Sequence, residues 1–144
     1  MSPMLIWPLI VGSVIVLVTA CFHVSALVTL VISLRRIGQR HPDGPGTAHK
    51  IFMLSITVVV VLAIHSIEVW SWAVIYLLLG EFQSLNTALY FSGATITTLG
   101  YGDVTLTETW RLLSTFEAMS GLILFGASTA FMIDLTRRLF DNKL

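Results

Sequence analysis

The stretch Thr97-Thr98-Leu99-Gly100-Tyr101-Gly102-Asp103 has the residue types and spacing to coordinate a bare cation. Glycines at 100 and 102 accept backbone angles that a β-carbon resists, so successive carbonyls can be turned toward one axis. The hydroxyl of Thr98 adds an oxygen beneath them. Together such oxygens replace the water shell of a monovalent ion.

A second set is ionisable and lies in apolar surroundings. His65 and Glu68 are three apart on one helical face and can pair. At 1.5 Å per residue from the span ends at Leu34 and Ile51, His23 is about 17 Å deep and His65 about 21 Å deep, so the three can meet. A charge at such depth is costly and marks function by default. Three readings fit: a proton-sensing cluster, a metal site suited to zinc or similar ions, and a hydrogen-bonded interlock that orients the first helix. Glu117 stands in the outer half of its segment, where it can back the Gly100 loop. Asp134 lies near the opposite end. It can either form an acidic ring in an oligomer or pair with Arg137 and Arg138 at i+3 and i+4.

The elements that carry these residues follow from hydropathy. Of 144 residues, 56% are hydrophobic and 11% charged, and mean hydropathy is +0.88. A soluble domain carries about 25% charged residues, so this chain needs lipid as solvent. The formal net charge of zero says nothing about an acidic or basic partner, and no nucleic acid is expected. Cys21 alone excludes an intrachain disulfide. Segments 4–34, 51–80 and 112–133 are each long enough to span, since about 20 apolar residues cross a bilayer. The first lacks a basic leader and exceeds the apolar run of a signal peptide, which makes it a retained helix.

Arg35, Arg36, Arg40 and Lys50 lie between the first two spans, and Arg137, Arg138 and Lys143 in the tail. Only Arg111 lies between the second and third, beside Glu81, Asp103 and Glu108. The positive-inside rule places the first loop and tail in the cytoplasm, and the amino terminus and Gly100 outside, in a multi-pass protein of the plasma (inner) membrane. Trp70, Trp72, Tyr76 and Trp110 are expected to anchor the outer interface. His41-Pro42-Asp43-Gly44-Pro45-Gly46 is a turn-rich linker. Residues 80–110 are too few for a full crossing. Ser84 suits an N-cap for a short helix over 84–97, which then returns through the loop. Irregular backbone at membrane depth survives only inside protein or beside water, so the loop belongs inside an oligomer. No phosphate loop, nucleophile triad or nucleotide fingerprint occurs, and the chain is not expected to be an enzyme or to hold an organic cofactor.

The run from Ala88 to Asp103, set between two spans, resembles the pore of potassium channels, in particular the small two-transmembrane bacterial channels of the KcsA type. The likeness covers about 80–140. It implies ion sites at the carbonyls of Thr98, Leu99, Gly100 and Tyr101, with the Thr98 hydroxyl, and support from Gly102, Asp103 and Tyr90. Leu99 replaces the usual valine or isoleucine. Tyr90-Phe91 replaces a frequent tryptophan pair, so Tyr90 can donate to Asp103 while Phe91 offers Tyr101 no donor. Ala94 stands where some relatives keep a carboxylate, which Glu117 can supply. Gly121 matches a gating hinge, or serves packing along with the small residues Gly126 to Ala130.

The resulting expectation is an all-α integral membrane protein with three transmembrane helices, a re-entrant pore helix and a selectivity-filter loop. Its parts are an extra N-terminal helix (1–34), a cytoplasmic linker (35–50), a pore domain (51–140) and a short tail (139–144). Within the pore domain are an outer helix (51–80), pore helix (84–97), filter (98–103) and inner helix (110–138). The resemblance implies a homotetramer in the lipid bilayer, with K+ as permeant ion moving passively down its gradient. The alternatives are a weakly selective monovalent cation channel and a non-conducting sensor or accessory subunit using His23, His65 and Glu68. The first helix carries no arginine series, which argues against voltage sensing.

Overall fold

The computed structural model describes residues 3–38 and 46–141. Most of the expected 41–46 turn lies outside the described residues, as does Lys143. Four helices follow in order: α1 (Pro3–Gly38), α2 (Thr47–Leu78), α3 (Leu85–Ile96) and α4 (Arg111–Phe140). Among the described residues there is no strand. The fold is all-helical, and α1, α2 and α4 are each long and apolar enough to cross a membrane. At 12 residues, α3 reaches only about 18 Å and cannot.

Local chemistry sets the helix ends. Arg35 and Arg36 fall in the last turn of α1, and Arg137 and Arg138 in that of α4. There they offset the negative helix terminus, and α1 runs on to Gly38, past the expected end at 34. At the end of α2, Gly80 adopts φ +75°. Its amide donates to Leu77 and that of Glu81 to Tyr76, both at 3.0 Å, capping carbonyls the helix leaves open. Ser84 does precede α3 in an extended conformation, but its side chain makes no capping bond. Its carbonyl is used instead, accepting from Ala88 at 3.0 Å.

In the packing, α3 lies between α2 and α4, while α1 runs along α4 and touches α2. Lipid provides no hydrophobic drive for such contacts, so close approach through small residues matters. A β-carbon on Gly12 of α1 would come within 2.7 Å of the Phe116 ring on α4. One on Gly121 would collide with the Ile96 carbonyl at the end of α3. Ile15, Trp72, Tyr76, Phe91, Ile96 and Leu113 form the apolar cluster nearest the Gly100 loop. Leu34, Met53, Leu135 and Leu139 form another at the basic end.

Two of the four expected interface anchors are core residues. Trp72 and Tyr76 have no exposed surface, while Trp70 is 51% exposed. The reason is register: 68, 72 and 76 share the stripe of α2 that packs against the other helices, and Trp70 points elsewhere. Trp72 Nε1 is buried with no hydrogen-bond partner, so the ring is held there by packing alone.

Candidate functional site

The loop after α3 alternates the hand of its backbone. Thr98, Gly100 and Gly102 have φ of +59°, +51° and +78°, while Leu99 and Tyr101 between them remain at negative φ. Alternation of this kind allows successive carbonyls to lie on one side of the loop and amides on the other. Glycine takes such angles freely, but a β-branched threonine does so only under strain. The sequence announced the two glycines; it carried no mark of the left-handed Thr98.

Main-chain bonds fasten the loop to α3. Thr98 N–H donates to the Thr95 carbonyl at 2.9 Å, and Gly100 N–H to the Ala94 carbonyl at 3.0 Å. Ala94, marked for a missing carboxylate, therefore supports the loop through its backbone. Tyr90 Oη donates to Asp103 Oδ2 at 2.8 Å, tying the far end of the loop to α3. Phe91 is buried in the apolar cluster, edge-on to Tyr76 with ring centroids 5.2 Å apart. A clamp that sequence reading missed joins the two connections flanking the loop. Glu81 accepts the Thr107 amide and hydroxyl, one on each oxygen, at 2.7 Å.

Behind α3, Glu117 binds three helices together. Tyr76 Oη of α2 donates to one oxygen at 2.6 Å, and Ser92 Oγ of α3 meets the other at 2.5 Å. Ser92 Oγ also reaches the Val69 carbonyl at 2.9 Å. All three side chains are fully buried. The contacts of Glu117 thus go to the body of α3, and those of the loop backbone go elsewhere. Gly121 lies against the last residue of α3, and α4 is unbroken from Arg111 to Phe140. Asp134 accepts from Arg138 Nε at 2.7 Å at the exposed basic end.

The sequence model of a family described as "Ion channel" matches residues 52–138. The chain belongs to this ion channel family. Among curated proteins it is similar to Potassium channel subfamily K member 4 of Rattus norvegicus, at 48% identity over 44 residues. The same protein of Mus musculus matches equally. The alignment covers 30% of this chain and 11% of that relative, so the chain corresponds to a small part of its length. No solved structure matches.

The channel-family segment begins inside α2 and leaves α1 outside it. Between the two apolar clusters, α1 is joined to that segment by a polar ring. His23 Nδ1 and His65 Nδ1 each lie 2.8 Å from a different oxygen of Glu68. Their Nε2 atoms lie 3.2 and 3.1 Å from Ser128 Oγ of α4. His23 and Glu68 have no exposed surface. The ring thus unites the three residues singled out by sequence. It adds Ser128, whose only signal was its place on the small-residue face of α4.

Proposed function

We propose that this ion channel conducts potassium selectively through a homotetrameric pore, with one Thr98–Asp103 loop from each chain facing the axis. The observation that carries the reading is the alternating backbone hand at Thr98, Gly100 and Gly102. It suits carbonyls of Thr98, Leu99, Gly100 and Tyr101 replacing the hydration shell of K+. Gly102 and the Asp103–Tyr90 bond hold the outer end. The C-terminus of α3 aims its negative dipole toward the ion path beneath.

Leu99, Gly100, Tyr101 and Gly102 are all exposed in a single chain. Irregular backbone cannot face lipid, which supports burial of the loop against further copies. Conduction is passive, down the electrochemical gradient, with no bond made or broken. The basic ends of α1 and α4 favour a cytoplasmic carboxyl terminus and an outward loop in the plasma membrane.

Purified protein in liposomes with an outward potassium gradient should polarise the membrane, with no matching response to sodium. Equal responses to both ions would favour the weakly selective channel. Intact oligomers without flux would favour the sensor or accessory reading, for which the buried ring joining α1 is the specific support.

A further inference from the structure

Two neutral imidazoles, a carboxylate and a hydroxyl do not close the ring of His23, His65, Glu68 and Ser128. With both Nδ1–H groups donating to Glu68 at 2.8 Å, both Nε2 lone pairs face Ser128 Oγ. A hydroxyl has one proton for those two acceptors. Glu68 also has no exposed surface, and a buried carboxylate is stabilised by a cation held beside it.

We propose that the ring is a binding site for a divalent cation of the zinc class, held by Nδ1 of His23, Nδ1 of His65 and the carboxylate of Glu68. The ligating atoms of the three residues lie within 4.8 Å of one another. Zinc sits about 2.0–2.1 Å from such ligands, so the Nδ1–oxygen pairs need open only slightly. Each imidazole then carries its proton on Nε2 and donates it to Ser128 Oγ, whose two lone pairs accept both. Ser128 thereby selects the tautomer that presents Nδ1 to the metal, the outer-shell support that metal-binding histidines usually have. Two imidazoles and one carboxylate form a recurrent zinc donor set with a fourth position left for water. Hard cations such as magnesium or calcium prefer all-oxygen cages.

His65 and Ser128 also border an open cleft of about 600 Å³ between α2 and α4 that extends past Thr129, Met132 and Thr136 to Arg137 at the basic end, whereas His23 and Glu68 lie behind them with no exposed surface. A bound ion would staple α1 to α2, and through Ser128 to α4.

The test uses the full chain purified in detergent, stripped with a chelator, equilibrated with zinc and freed of excess by gel filtration. Metal content should be one zinc per chain, with His49→Ala unchanged and His23→Ala and Glu68→Gln losing it. Ser128→Ala should bind about 10–100-fold more weakly, as loss of an outer-shell partner does. His23→Cys keeps three ligands and should exchange zinc for cadmium preference, which guards against loss of fold in the alanine variant. Wild type retaining no more zinc than Glu68→Gln would overturn the site, as would equal loss in His49→Ala. Metal content is read without ion flux, so failure here and failure of the potassium reading are separable.

Discussion

The amide of Gly100 donates to the carbonyl of Ala94 at 3.0 Å, folding the 98–103 loop back onto the helix that precedes it. Both partners are main-chain atoms, so the Ala94 side chain takes no part in the bond. It joins a residue held at φ +51°, in the left-handed region that glycine takes freely.

Gly100→Ala should therefore abolish ion flux while leaving the helices intact. A β-carbon in the left-handed region costs about 1–2 kcal/mol, enough to shift the loop off its alternating conformation. Liposome flux and circular dichroism on the same preparation check this. Wild-type flux from Gly100→Ala would remove the backbone-alternation argument.

Gly121→Ala should destabilise the chain by about 1–3 kcal/mol, the usual cost of overpacking, because its β-carbon would meet the Ile96 backbone and side chain. Gly126→Ala meets nothing within 4 Å inside the chain and should change stability less. Thermal melts of the two variants decide between close packing at Gly121 and a hinge, which would leave the melts alike and alter channel opening instead.

Tyr76→Phe removes a fully buried donor at 2.6 Å from Glu117. A loss of about 1–3 kcal/mol is expected for a buried carboxyl oxygen left without its donor. Tyr90→Phe, at the exposed bond to Asp103, should cost less because water replaces the lost partner. Denaturation of both variants in the same detergent measures the difference, and equal effects would contradict the burial argument.

The Tyr90 phenol is held above its ordinary value by its hydrogen bond to Asp103, and then by desolvation and the nearby charge. A raised phenol stabilises the folded loop fully below the unfolded tyrosine value, near pH 10. That contribution is lost as pH rises through the elevated folded value. Ultraviolet titration should show one tyrosine ionising later in wild type than in Asp103→Asn. Superimposable curves would mean the bond does not form in solution.

Much of the architecture was legible because hydropathy and helix capping are local. Runs of apolar residues marked α1, α2 and α4, the arginines marked one end, and Gly100 and Gly102 marked a loop that needs left-handed backbone. Depth counting even brought His23, His65 and Glu68 together, since position along a helix converts directly to height in a bilayer. The face each residue presents was harder to read, and Trp72 and Tyr76 show why. Their amphipathic rings fit an interface equally well until the other helices cover that stripe.

By itself, then, the sequence determined that this chain is a membrane protein, how many helices can cross, and which glycines permit a left-handed loop between two of them. Only the tertiary structure decided that Glu117 answers Tyr76 and Ser92, residues 41 and 25 positions away. It alone placed Ser128 beneath His23 across 105 positions, and forced Thr98 into the left-handed region. These are properties of contact between helices. A hydroxyl's partner depends on which faces meet and at what height, and no local pattern of residue types records that.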